Sequence, residues 1–198
     1  TSVRIRNVPA FVAAEGVRID VPGLGPLSID IAYGGNFYAI IDPQSGYPGL
    51  DALGAARLVE LSRQIRAILR ETIEPVHPID DRIRGVTHVL WADGPRGQGA
   101  DGRNAVFYGE RAIDRSPCGT GTSARLAHLA HQGRLKVGDS FVHESYIGSR
   151  FIGRVEEAVM LGEHKAIIPS IEGSAISTGF NTIWIDQKDP FWEGFSVI

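Results

Sequence analysis

The run Thr120-Gly121-Thr122-Ser123-Ala124-Arg125-Leu126-Ala127-His128-Leu129-Ala130-His131-Gln132 decides how the rest of the chain is arranged. It reads as a helix on which Ala124, Leu126, Ala127, Leu129 and Ala130 leave few positions suited to water. Gly133 follows in the C′ position, where a left-handed backbone closes a helix. Such a helix belongs at the centre of a core. The other helical stretch, residues 51–72, is different. Leu58, Leu61, Ile65, Ile68 and Leu69 recur at three- and four-residue steps, and Arg57, Arg63, Arg66 and Arg70 between them predict a solvated face.

Everything else reads as strand or turn. Apolar or alternating segments at residues 3–6, 17–21, 27–31 and 37–41 lead, punctuated by turn residues such as Gly34-Gly35-Asn36. Residues 86–91 alternate with period two, placing His88 on the face of Val86 and Leu90, and residues 105–108 form a further strand. Strand-like segments follow at residues 140–147, 151–159, 165–168 and 175–185. Two helices among so many strands argue against the regular alternation of a parallel sheet. The expectation is an α+β fold, a mixed sheet curled around a buried central helix.

Composition narrows the function. With 198 residues, 43% hydrophobic and 22% charged, the chain has material for one good-sized core or two small domains. A formal net charge of −3 with mixed signs lacks the cationic field that nucleic acid requires, so no nucleic-acid partner is expected. No stretch approaches the roughly 18 uninterrupted apolar residues of a membrane helix, and no membrane partner is expected. A small ligand and a cytoplasmic location fit best. The single cysteine excludes a disulfide within the chain. Residue 1 is Thr and the only methionine is Met160, which reads as an upstream segment removed or never included.

That cysteine lies in Asp114-Arg115-Ser116-Pro117-Cys118-Gly119-Thr120-Gly121-Thr122-Ser123-Ala124, at a loop-to-helix junction. Pro117 restrains the chain, while Gly119 and Gly121 let backbone N–H groups approach a ligand. N–H groups in a helix's first turn attract a carboxylate and lower the pKa of a thiol placed there. Two readings stand at this point: an activated thiolate beside an anion cradle, or an inert buried thiol before a helix capped by Ser116. His88 likewise reads either as a satisfied core histidine or as a substrate contact. Nucleotide patterns fail on context. Gly97-Gln98-Gly99-Ala100-Asp101-Gly102 leads into a strand, the run from Gly119 lacks a preceding strand, and no Gly-Lys-Ser/Thr occurs. His128 and His131, spaced i, i+3, have no further ligands to complete a metal set, so no metal and no cofactor are expected.

The Asp114 to Ala124 run resembles the second active-site motif of the proline racemase and hydroxyproline epimerase family. Arg6-Asn7-Val8-Pro9-Ala10-Phe11, Asp20-Val21-Pro22-Gly23-Leu24-Gly25, Asp30-Ile31-Ala32-Tyr33-Gly34-Gly35-Asn36-Phe37-Tyr38, Gly179-Phe180-Asn181-Thr182 and Asp189-Pro190-Phe191 are similar too, in the family's order. The resemblance implies a diaminopimelate-epimerase-like fold of two lobes with substrate between them. It also implies cofactor-free inversion of proline or hydroxyproline by two cysteines, one a thiolate base and one a thiol acid. Cys118 matches the second cysteine, Asp114 the acid that meets the ring nitrogen, and Gly119 and Thr120 the backbone donors to the carboxylate. Related dehydratases carry Thr at the cysteine position, so Cys118 favours inversion.

The family's first motif, with Cys-Gly-His, occurs nowhere in these residues. The chain is therefore expected to hold half a catalytic pair. Residues 1–10 would link from a first lobe, 11–174 form the second lobe and 175–198 return toward the first. Tyr108 and an inward His88 suit a substrate hydroxyl, favouring hydroxyproline over proline. The expected partners are that small substrate and the first lobe of the same enzyme; a homodimer is allowed but not required. A non-catalytic amino-acid-binding lobe is the competing class, and a thiol hydrolase a weaker third.

Overall fold

The computed structural model describes residues 2–195. Strands β1 (Ser2–Arg6), β2 (Ala10–Val21), β3 (Gly25–Tyr33) and β4 (Phe37–Ile41) precede helix α1 (Leu50–Thr72). Then come β5 (Val76–His77), β6 (Asp80–Arg84), β7 (Val86–Asp93), β8 (Gly102–Tyr108) and β9 (Ala112–Ile113). Helix α2 (Gly119–His131) is followed by β10 (Ser140–Glu144), β11 (Arg150–Leu161) and β12 (His164–Ser174).

Eight strands close into a barrel in the order β2-β3-β4-β7-β8-β10-β11-β12, sealed where Ala10 and Phe11 pair with Ile167 and Ala166. Two neighbouring pairs, β4–β7 and β8–β10, are parallel, and each needs a crossover rather than a hairpin. The two helices supply those crossovers on opposite sides of the sheet. Helix α1 covers the outer face, where Leu58, Leu61, Ile65 and Leu69 pack with Ile29, Ile31, Trp91 and Phe107. Helix α2 runs through the interior. Leu126 and Leu129 meet Phe141, Val155 and Ile167, and Ala124 meets Ile40, Leu90 and Val106. This is the α+β architecture expected from the apolar helix.

Small residues make room for the internal helix. A side chain on Gly153 would stand 2.8 Å from Leu126 Cδ1, and one on Gly34 would collide with the α2 backbone at Thr120 and Ala124. The helix ends as its sequence predicts. Gly133, at φ +71°, donates to Ala130 O, and Arg134 donates to Leu129 O, a Schellman closure.

Several local expectations differ from the structure. Arg66 is not on a solvated face: it is buried, donating to Thr87 O, Gly109 O and Glu110. The period of β7 is broken by an irregularity at Thr87, because Phe37 pairs with Val86 but Tyr38 pairs with His88. Val86 thus joins the outer cluster with Trp91, while Leu90 packs in the inner one. Residues 175–185 form no strand. They pair with no strand of the sheet, and Ile176, Phe180, Ile183 and Trp184 are exposed. Residues 145–147 leave β10 for a turn closed by Gly148 N–H to Ser145 O. Among the described residues no helix is long and apolar enough to cross a membrane.

Candidate active site

The loop between β9 and α2 is held by its own short side chains. Asp114 Oδ1 accepts from the Ser116 N–H and hydroxyl, at 2.8 and 3.0 Å, and Ser116 Oγ in turn accepts the Cys118 N–H at 3.0 Å. Ser116 therefore supports the cysteine from outside the helix, and Cys118 itself is the N-cap. Its carbonyl takes the Thr122 N–H at 2.8 Å. Pro117 O accepts from Asn104 Nδ2 at 2.8 Å and from Thr122 Oγ1 at 3.3 Å. Asn104 Oδ1, buried in the barrel, has no partner, an arrangement that costs about 1–3 kcal/mol.

Cys118 has φ +66° and ψ 122°, and it is the one non-glycine residue with positive φ among those described. Such conformations cost on the order of 1–3 kcal/mol and persist where surroundings hold them. Its sulfur lies 3.3 Å from Tyr38 Oη and 3.8 Å from Thr120 Oγ1, and the two hydroxyls are 2.6 Å apart. A side chain on Gly121 would stand 3.3 Å from the sulfur, so glycine leaves the N–H side of the helix open to it.

The thiol does not follow the expectation of a lowered pKa. Burial pushes it up, and the Tyr38 hydroxyl, the Gly121 N–H and the Thr120 hydroxyl only partly offset this, while the Asp114 carboxylate adds to the rise. The helix N-terminus acts in the expected direction, but loss of water around the sulfur outweighs it. Cys118 therefore carries its proton at neutral pH. Burial also pushes the Tyr38 phenol far up, so it stays a hydroxyl.

The remaining sequence-selected residues surround this thiol unevenly. His88 is half-buried, its ring centroid 4.8 Å from that of Tyr38 and its Nδ1 2.7 Å from Thr87 Oγ1. Burial, then the Arg66 guanidinium, lower its pKa against the opposing pull of Asp114, which keeps the ring neutral. Tyr108 is exposed at the end of β8, one residue beyond the Val89–Phe107 pair, and so extends the row formed by Tyr38 and His88. Gly119 and Thr120 line a cleft of about 440 Å³ with Asn7, Ser116, Val3, Ile5, Phe151 and Ile171. The first N–H groups of a helix have no intrahelical partner, so this wall offers donors to an anion. Cys118, His88 and Tyr108 do not line that cleft, and Asp114 faces a neighbouring depression with Arg111, Arg115 and Tyr146.

Sequence reasoning missed Tyr38 and Asn104, which the sheet brings to the cysteine, and Thr122, which reaches back to it from the first turn of α2. The signal nearest at hand was the Gly34-Gly35 turn, whose close approach to α2 delivers Tyr38. His128 and His131 part company. His128 is buried against Asp30 at 2.7 Å, and His131 meets Glu15 at 2.9 Å. No group of three metal-ligating side chains occurs among the described residues.

The sequence model of a family described as Proline racemase matches residues 1–196. Over 196 residues the chain is 55% identical to a 4-hydroxyproline 2-epimerase of Ancylobacter novellus and 53% identical to one of Shewanella loihica, covering 99% of this chain in each case. A solved hydroxyproline epimerase from Agrobacterium vitis, with bound trans-4-hydroxy-L-proline, matches with a TM-score of 0.86 and 36% identity, over 99% of this chain and 56% of that one. The chain spans 59% of the length of the curated relatives it matches.

Proposed function

The chain belongs to the proline racemase family, and from that premise we propose that it inverts the α-carbon of 4-hydroxyproline, with Cys118 as one of two acid/base groups. The observation that carries this reading is the Cys118 thiol, held at the N-terminus of α2 next to the Gly119 and Thr120 N–H groups.

In this mechanism those N–H groups hold the substrate carboxylate and Asp114 meets the ring nitrogen. A thiolate outside these 198 residues, which contain one cysteine, takes the α-proton from one face. The Cα–H bond breaks as an S–H bond forms. Cys118, which holds its proton at neutral pH, gives that proton to the opposite face and is left as a thiolate, ready to act as base in the reverse direction. Tyr38 donates a hydrogen bond to this thiolate. No cofactor is required, because both proton transfers run between sulfur and carbon.

β1 pairs with β12 and Ala10 closes the barrel, so residues 2–174 form one catalytic lobe, and the chain from residue 175 runs to a second lobe that brings the other cysteine. The exposed Ile176, Phe180, Ile183 and Trp184 support this, since apolar side chains of that size favour a protein surface over water. A neutral His88 beside Tyr108 supports hydroxyproline over proline, because a site that hydrogen-bonds a hydroxyl rejects a substrate lacking one. The experiment is to follow α-deuterium exchange and inversion with the purified 198-residue chain, alone and with the polypeptide bearing the second cysteine. Inversion is expected only in the second case; full turnover by the chain alone defeats the two-cysteine mechanism.

A further inference from the structure

We propose that Asn104 and Thr122 are positioning residues for Cys118, acting through the Pro117 carbonyl; the inference rests on the reading of Cys118 as an acid/base group. Two elements, β8 and α2, converge on that one oxygen, and β10 supports one of them. Asn104 rises from β8 into the interior, fully buried, and donates Nδ2 to it. Thr122, in the first turn of α2, brings its hydroxyl to it as well. The same hydroxyl lies 2.9 Å from Nδ1 of His143, a buried residue of β10. A threonine hydroxyl has one proton. Directed to Pro117 O, it leaves His143 Nδ1 to donate to Thr122, as a neutral imidazole can.

The Pro117–Cys118 peptide is the plane from which the cysteine's φ is measured. Fixing its carbonyl fixes its N–H, which is the group that reaches Ser116 Oγ. Cys118 then has to take φ +66°, a conformation that L side chains rarely adopt, and its sulfur is delivered to Tyr38. The orphaned Oδ1 of Asn104 points the same way. An apolar side chain would fill this space and leave no unpaired oxygen, so what the site uses is the amide donor. With the carbonyl released, Cys118 relaxes toward negative φ and the sulfur leaves the Tyr38 hydroxyl.

The test is thiol coupling in the 198-residue chain. Cys118 alkylation by iodoacetamide is followed against pH in wild type, T122V, T122S and N104L, each with and without Y38F, with circular dichroism to verify folding. In wild type and T122S, Y38F is expected to slow alkylation at pH 8 about tenfold; in T122V and N104L its effect falls below about twofold. An undiminished Y38F effect in T122V and N104L overturns the proposal, and if N104L fails to fold, the T122V and T122S pair decides alone. Together with the second-cysteine polypeptide, T122V is expected to lower kcat at least about tenfold with KM nearly unchanged, and T122S to restore it. Coupling present while Cys118→Ala leaves inversion intact rejects the epimerase reading and keeps the positioning role. Coupling absent while Cys118→Ala abolishes inversion rejects the positioning role alone.

Discussion

Tyr38 places its hydroxyl 3.3 Å from the Cys118 sulfur and 2.6 Å from Thr120 Oγ1, so a thiolate formed at Cys118 has a donor within the barrel. Removing that donor leaves burial, which raises the thiol pKa, less opposed. Tyr38→Phe keeps the ring against His88 and is expected to raise the Cys118 pKa by roughly one unit, as loss of a hydrogen bond to a charged group does. The check is the pH profile of alkylation. An unchanged or lowered midpoint contradicts the assigned role.

Stability should fall with acid through His143. Burial lowers its pKa to about 3 in the folded chain from an ordinary value of 6.5. Between those values the unfolded chain binds the proton that the folded chain refuses. The stabilisation is therefore complete above the unfolded value and is lost as pH falls toward the folded one. Urea unfolding at pH 7 and pH 5 is expected to differ by about 2 kcal/mol from this residue, and His143→Asn to flatten the difference. His77 and His88, also lowered by burial, add in the same direction.

Gly34→Ala places a methyl group against the Thr120 and Ala124 backbone at the start of α2. The helix must shift, and a cost of roughly 1–3 kcal/mol is expected, together with altered Cys118 reactivity. Thermal melts and alkylation rates read both. A variant with wild-type values for each shows that the turn does not position the helix.

In the assembled enzyme His88→Ala is expected to lose at least about tenfold more activity on hydroxyproline than on proline, since the loss of a hydrogen-bonding group penalises only the substrate that uses it. Equal losses in kcat/KM for the two substrates remove His88 from substrate selection.

Much of this architecture was legible locally. Ala124, Leu126, Ala127 and Leu129 marked α2 as an interior helix, Gly133 marked its end, and Cys118 stood at its start. What no local pattern carried was closure. Tyr38 lies on a strand whose apolar run says nothing of what its hydroxyl meets 80 residues later. Arg66 sits at a position that reads as solvated on the helix, and only packing against Phe107 and the β8–β9 turn buries it. The irregularity at Thr87 shifted which of its neighbours face inward, because side-chain direction in a strand depends on register. The thiol's pKa departs from the sequence expectation for a related reason: the helix N-terminus is visible in sequence, whereas the depth of burial is not.

Central to the proposed function is the exchange of a proton between Cys118 and the substrate α-carbon. The direct measurement is inversion of 4-hydroxyproline, with solvent deuterium incorporation, by Cys118→Ala in the assembled enzyme. Loss of inversion by about 100-fold or more is predicted, the scale of general acid–base catalysis. Inversion within a few-fold of wild type contradicts it.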